Sequence, residues 1–344
     1  MPLLPLAGHT AQRRRIAAAR EGGRIPQVLL LTGPRGVGRQ QFALWIAQLL
    51  FCERPTEEPC GSCRACRLVV GLLHPDLHWF VPVPRPKGDA DRQVEEVEEL
   101  LAGVMAERRA NPRYGPVDGM AAHGMASVRL MLQRAALTPV EQSQKVIILG
   151  DAERLVVQES SPDAANALLK LLEEPPADTR ILLTAVEARR LLPTVRSRVV
   201  PLRLGRLTET EVASVLGRAA PEAEGAPGSV ISRGSDSAFV AAAGFLEAVA
   251  AGPAERMERA LRQPAYAARG DFTALLDALA ETLSDAARNA SGVPPRRPLP
   301  AGLRRARDPI SALQRVAAAR EVAAGNVNPQ LLLAALADDL AEVL

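Results

Sequence analysis

Val28-Leu29-Leu30-Leu31 runs into Gly33-Pro34-Arg35-Gly36-Val37-Gly38-Arg39-Gln40, and an apolar stretch from Gln41 to Leu50 follows at once. Few arrangements constrain a chain more. The unbroken apolar run suits a strand covered on both faces of a parallel sheet, and the stretch after the glycines reads as a helix leaving it. The spacing G-x-x-x-x-G is that of a loop whose backbone N–H groups cradle a phosphate. Such a loop normally continues with Lys, which reaches the outer phosphates, and with Ser or Thr, whose hydroxyl binds Mg²⁺. Arg39 and Gln40 stand there instead. A plain Gly/Pro turn between strand and helix is the competing reading of the same spacing.

With 344 residues the chain is long enough for two or three domains, each with its own core. Hydrophobic residues make up 47% and aromatics only 3%, so the cores must be built from Ala, Leu and Val, a composition that leans helical. A net charge of +3 does not by itself argue for a nucleic-acid surface. The local clusters Arg13-Arg14-Arg15 and Arg64/Arg67 read as solvated faces. The first residues lack a charged-then-apolar leader pattern, and no apolar run reaches the roughly 18 residues of a membrane span, so a cytoplasmic protein is expected.

All four cysteines fall in one stretch, Cys52 and then Cys60-Gly61-Ser62-Cys63-Arg64-Ala65-Cys66. Cysteines three apart can turn two thiolates toward one ion, and four thiolates satisfy tetrahedral Zn²⁺ with no position left open. The expectation is a structural zinc module. Disulfide pairing is the competing reading and is disfavoured in a reducing compartment. Neither His74 nor His78 is needed as a ligand.

Periodicity predicts an amphipathic helix over 8–23 ending at Gly22-Gly23, an apolar helix over about 68–77, and a strand at Trp79-Phe80-Val81 broken by Pro82 and Pro84. Residues 82 to 124 contain the Arg85-Pro86-Lys87-Gly88 turn, the acidic helix Glu95-Glu96-Val97-Glu98-Glu99 and the stretch Pro112 to Gly119, and read as an exposed insertion outside the core. Lys145 to Leu149 forms a β-branched strand that delivers Gly150-Asp151-Ala152-Glu153. In nucleotide-binding α/β sheets this strand end carries a Mg²⁺-directing Asp and a water-activating carboxylate. Gly150 takes the first of those positions and Asp151 the second, unless Asp151 simply caps the next turn. A helix over Asp163 to Glu174 is stopped by Pro175-Pro176. A strand from Arg180 ends on the polar Thr184, a short basic helix spans Leu191 to Arg198, and a strand follows over Val199 to Leu202. Alternation ends near residue 204. Beyond it come a Thr208-x-x-Glu211 capping box, a loop-rich joint from Gly225 to Gly234, and Ala/Leu helices over 236–344 separated by Pro294 to Pro300.

Five blocks together closely resemble bacterial DNA polymerase III clamp-loader subunits of the delta-prime type: the loop at Gly33, the cysteine module, Asn166 to Pro176, Leu192 to Arg198, and Asn326 to Leu331. The resemblance implies an α/β AAA+ module, a parallel sheet flanked by helices, over 1–204 with the zinc module at 52–66. A small helical lid over 205–245 and an all-α collar over 246–344 would follow. It further implies a place in a hetero-pentameric ring with gamma/tau ATPase subunits and a delta subunit, acting on the sliding clamp and primer-template DNA in DNA replication. Ser197-Arg198 matches the family's Ser-Arg-Cys motif, which makes Arg198 the candidate catalytic residue, an arginine finger acting in trans on a neighbour's ATP.

By the same resemblance Gly33, Gly36, Gly38, Arg39, Gln40, Asp151 and Thr184 form the candidate nucleotide site, in degenerate form. Arg39 replaces a compact ammonium by a broad planar fork, and Gln40 offers an amide where Mg²⁺ favours a hydroxyl. Gly150 supplies no carboxylate, and Ala238 in Gly234-Ser235-Asp236-Ser237-Ala238 stands where the family has a sensor arginine. The expectation is therefore a subunit that hydrolyses no ATP of its own and holds ATP and Mg²⁺ weakly if at all. A gamma/tau-like ATPase with a variant loop is the alternative. A zinc-dependent nucleic-acid-binding module is a third reading, and the scarcity of aromatic stacking platforms weighs against it.

Overall fold

In the computed structural model the described residues are 6–87, 89–110, 121–141, 143–155, 163–231, 236–264, 271–300, 302–303, 306–323 and 327–344. The chain forms two compact units, Met1–Ser232 and Arg233–Leu344. In the first, the elements run α1 (Thr10–Glu21), β1 (Val28–Thr32), α2 (Arg39–Phe51), α3 (Arg64–Val70), β2 (Leu77–Phe80), α4 (Ala90–Ala110) and α5 (Met125–Ala136). They continue with β3 (Lys145–Leu149), α6 (Asp163–Glu173), β4 (Thr179–Ala185), α7 (Pro193–Arg196), β5 (Val200–Arg203), α8 (Glu209–Leu216) and α9 (Pro227–Ile231).

The five strands make one parallel sheet in the order β2-β3-β4-β1-β5. The α/β architecture expected over 1–204 is present. Every residue of β1 and β3 is buried, as the unbroken apolar runs require of strands with helices on both faces. Because β4 lies between β1 and β3, the loops leaving the carboxyl ends of these three strands converge, which is where open α/β sheets place their ligand crevices. Against β1 packs α2, whose Phe42, Ile46 and Leu49 are fully buried.

Three expectations are corrected. The apolar helix placed over about 68–77 is α3 at Arg64–Val70, nucleated earlier because the Cys63 side chain accepts the Cys66 N–H and caps it. Residues 82–124 are not wholly exposed: α4 buries Val97 and Leu101, with Val94, Leu100, Val104 and Met105 packed beside them, and it lies against α5. The acidic run occupies only its outer face, and the apolar residues recur at helical spacing beneath it. The expected joint over Gly225 to Gly234 contains α9. Residues 111–120 and 232–235 lie outside the described residues.

The second unit comprises α10 (Asp236–Ala251), α11 (Pro253–Leu261), α12 (Asp271–Ala290), α13 (Pro309–Ala323) and α14 (Pro329–Val343). Phe245, Phe272, Leu276, Leu279, Leu283, Val316 and Leu340 form its core, with α12 packed on both α10 and α13. The proline-rich linker after α12 is tied to it by Arg296, whose Nε donates to buried Asp285 at 2.7 Å. Asn328 caps α14 as its proline-led start suggests, accepting from the Gln330 and Leu331 N–H groups. The segment 205–245 read as a lid spans both units, with α8 and α9 in the first and α10 in the second. Among the described residues no helix is long and apolar enough to cross a membrane.

A helix carrying buried leucine contributes to global stability, and a detached insertion does not. Leu101→Ala is therefore expected to lower the unfolding free energy of the first unit by about 2–3 kcal/mol in urea titration. A change below about 0.5 kcal/mol would return α4 to the status of an appendage.

Candidate functional site

The glycine loop between β1 and α2 is held by backbone on both sides. A Cβ on Gly33 would lie 2.5 Å from the Leu204 carbonyl oxygen, and Leu204 donates its own N–H to Thr32 at 2.7 Å. Gly36, at φ +81°, meets α9: its carbonyl accepts the Gly228 N–H at 2.9 Å, and a Cβ there would stand 2.4 Å from the Ser229 nitrogen. At the far side His9 bonds the Val37 carbonyl through Nε2 at 2.8 Å and sets its ring edge against Phe42. The loop is thus closed over by its own chain.

Four of the residues singled out from sequence come together at the strand ends. Arg39 is buried, its Nη1 donating to the Gly33 carbonyl at 2.6 Å and its Nη2 to Asp151 Oδ1 at 3.4 Å. Gln40 donates Nε2 to the other Asp151 oxygen at 3.2 Å. Thr184 Oγ1 accepts the Asp151 N–H at 2.9 Å and so fixes that residue in its left-handed conformation. Burial pulls the Arg39 pKa below its usual value, while the charges of Asp151 and Glu153 oppose that shift. The cap reading of Asp151 is replaced by this role: its carboxylate bridges the two residues that displaced Lys and Ser/Thr.

The sequence did not indicate three further members. Arg108, at the end of α4, donates to Gln40 Oε1 at 3.1 Å and lies 4.1 Å above the Trp79 ring. His123 is fully buried and bonds the Gly150 carbonyl through Nε2 at 2.7 Å. A carbonyl only accepts, so Nε2 carries the proton, and burial lowers the imidazole pKa to about 4, leaving it neutral at pH 7. Gly228 is the third. Gly150 itself is space as well as absence, since a Cβ there would sit 3.1 Å from Gln40 Nε2. A side chain at 150 would crowd the end of Gln40. Ala238 belongs to the second unit, and Gly234 and Ser235 lie outside the described residues.

Arg198 stands apart, just past α7 and partly exposed. Its Nε donates to Glu173 Oε1 at 2.6 Å, and Nη1 donates to the Thr194 carbonyl at 2.7 Å.

The four cysteines are free thiols with all four sulfurs within 4.8 Å of one another. Metal–sulfur bonds of about 2.3 Å in a tetrahedron space sulfurs about 3.8 Å apart, and Cys60 and Cys66 Sγ are 4.0 Å apart. Cys52, Cys60 and Cys63 each accept a backbone N–H, at 3.2 Å from Cys60, 3.4 Å from Cys63 and 3.4 Å from Cys66. Such bonds favour thiolates. The Cys63 N–H foremost brings the Cys60 thiol down to about 6, whereas burial pushes Cys52 and Cys66 up. The donor set fits one thiophilic divalent cation. Glu58 moors this module, accepting from Trp45 Nε1 at 2.7 Å and pairing with Arg13 at 2.9 Å.

With this geometry in view, a family model described as DNA polymerase III, delta subunit, matches residues 8–208, more than half of the chain. The chain belongs to that family. It is 35% identical over 183 residues to DNA polymerase III subunit delta' of Pseudomonas aeruginosa, covering 52% of this chain and 44% of the relative. It is 31% identical over 192 residues to subunit gamma/tau of Mycobacterium tuberculosis, covering 55% of this chain and 26% of that one. The matches thus span less than half the length of these relatives. A DNA polymerase III gamma subunit-related protein from Thermotoga maritima has a solved structure that aligns over 98% of this chain and 99% of its own, with 15% identity and a TM-score of 0.42.

The closure of the loop by α9 is testable through two glycines that share positive φ. Gly36→Ala and Gly38→Ala both incur backbone strain, but only at Gly36 would the new methyl strike α9, the nearest atom to it at Gly38 being Leu6 Cδ1 at 3.8 Å. Gly36→Ala is expected to destabilise by about 2 kcal/mol more in chemical denaturation. Equal losses would mean that α9 is not held against the loop.

Proposed function

We propose that this chain is a delta-prime subunit of a DNA polymerase III clamp loader that hydrolyses no ATP itself and supplies Arg198 as an arginine finger to an adjacent gamma/tau-type ATPase. One observation carries the first half of this reading: Arg39, Gln40 and Asp151, which occupy the positions of a phosphate loop's working groups, are bonded to one another. A phosphate-binding lysine and a Mg²⁺-directing carboxylate must be free to face a ligand. Here the cation faces the carboxylate, and Arg108 reaches the amide between them. The loop retains its fold, with α9 packed against Gly36.

The second half rests on Arg198 in the Ser197-Arg198 pair and on its exposure. In this reading residues 1–204 form the AAA+ module, 205–245 a lid, and 246–344 the collar through which five subunits join in a ring around primer-template DNA in the cytoplasm. The cysteine module holds Zn²⁺ as a structural staple for the loop after α2, and no step of hydrolysis passes through it.

Two measurements test this. With ATP and Mg²⁺ the purified chain is expected to release no phosphate, while in the reconstituted loader Arg198→Ala should lower the ATPase rate at least tenfold at unchanged assembly, an effect on the scale of known fingers. Turnover by the chain alone would favour the gamma/tau-like alternative, and an unchanged rate in the loader would remove the finger role. Metal analysis of the purified chain should give one zinc per chain, lost in Cys63→Ser together with thermal stability. A metal-free chain of full stability would refute the staple.

A further inference from the structure

Arg198 is not extended into solvent. Nε and Nη2 both donate to Glu173 Oε1, the former at 2.6 Å, while Nη1 donates to the Thr194 carbonyl at 2.7 Å and to Ser197 Oγ at 3.1 Å. All three guanidinium nitrogens are therefore engaged within the chain. The acceptors come from two elements: Glu173 is the last residue of α6, just before Glu174-Pro175-Pro176, and Thr194 lies in α7, four residues before the arginine. The charge is neutralised by a carboxylate, and the side chain is folded back on the helix that precedes it. Both partners remain accessible, at 30% exposure for Arg198 and 46% for Glu173, so an anion can reach the pair without unfolding anything.

We infer that Glu173 and the end of α7 form a clasp that holds Arg198 withdrawn, and that phosphoryl oxygens presented by a neighbouring chain must displace Glu173 before the finger acts. This inference rests on the finger reading of Arg198 given above. The exchange is balanced: N–H bonds to one oxyanion are replaced by N–H bonds to another, and no covalent bond changes. A half-exposed ion pair is weak, so it can delay engagement by only a small factor and yields to the higher charge of a nucleotide's terminal phosphate. Glu173 is thus a positioning residue that restrains the finger and touches no reacting atom.

The test uses the reconstituted loader at saturating ATP, DNA and clamp. Glu173→Gln keeps the side-chain shape and removes the charge, and it is expected to raise kcat about two- to fivefold with little change in KM for ATP. In the double variant Glu173→Gln/Arg198→Ala the gain should vanish. A rate equal to or below that of the parent would overturn the clasp, a fall showing that Glu173 orients the arginine for attack. Should Arg198→Ala alone leave the rate unchanged, the finger reading itself fails and the clasp with it. A second readout needs only the isolated chain: the Arg198 Nε–H proton should exchange with solvent faster in Glu173→Gln than in the parent by NMR. Identical exchange would refute the clasp while leaving the finger role standing.

Discussion

A guanidinium buried at the start of α2 is the constraint to which the rest of the first unit answers. Burying an unpaired charge is prohibitive, so Arg39 needs acceptors on every side that lacks water. It takes one from the backbone of its own loop at Gly33 and one from Asp151 at the end of β3. Each of those choices commits another residue. Asp151 must hold a left-handed backbone to aim its carboxylate inward, and Thr184 secures that backbone from the neighbouring strand. Gln40 satisfies the second carboxylate oxygen, and a Cβ at position 150 would press on the end of its side chain. Arg39, Gln40 and Asp151 are therefore interdependent, and removing the carboxylate would take an acceptor from both of the others.

The glycines of the loop answer to a packing constraint of their own. Gly33 and Gly36 allow two backbone segments, at Leu204 and at Gly228-Ser229, to approach closer than any side chain would permit. In a ligand-binding loop the same bareness admits an anion. Here it admits α9 and the strand end, which pack directly on the loop backbone. The parallel order β2-β3-β4-β1-β5 makes this possible by bringing the carboxyl ends of β1, β3 and β4 to one edge of the sheet.

Much of that frame was legible in the chain. Continuous apolar runs marked β1 and β3, the paired prolines marked the end of α6, and the Thr208/Glu211 capping box formed as its spacing implied. Arg39, Gln40 and Asp151 were picked out as a group from their positions in motifs. What could not be read was the satisfaction of those groups. Arg108 is 68 residues from Gln40 and sits in an acidic helix whose pattern drew attention to its outer face. His123 follows a stretch rich in Pro and Gly, and nothing local tells a buried imidazole from an exposed one. The helical character of α4 is legible at Glu95 to Glu99, but its buried face is not, because its buried residues are few and Val97 is flanked by glutamates; only its packing on α5 shows which face is inside. Long-range hydrogen bonds leave no periodic trace in sequence.

Three arginines thus share one situation, a guanidinium engaged by groups of its own chain, and burial separates their prospects. Arg39 and Arg108 are 8% and 7% exposed, so withdrawing either guanidinium would give up bonds made inside the first unit, at about 1–3 kcal/mol for each group left without a partner. Arg198 is 30% exposed and its acceptor more so, and when that pair parts both groups are hydrated at once. The buried arginines are consequently fixtures of the fold, whereas the exposed one can exchange its carboxylate for another oxyanion at little loss. Where water can reach a pair therefore decides which of these guanidiniums can change its partner and which is held in place.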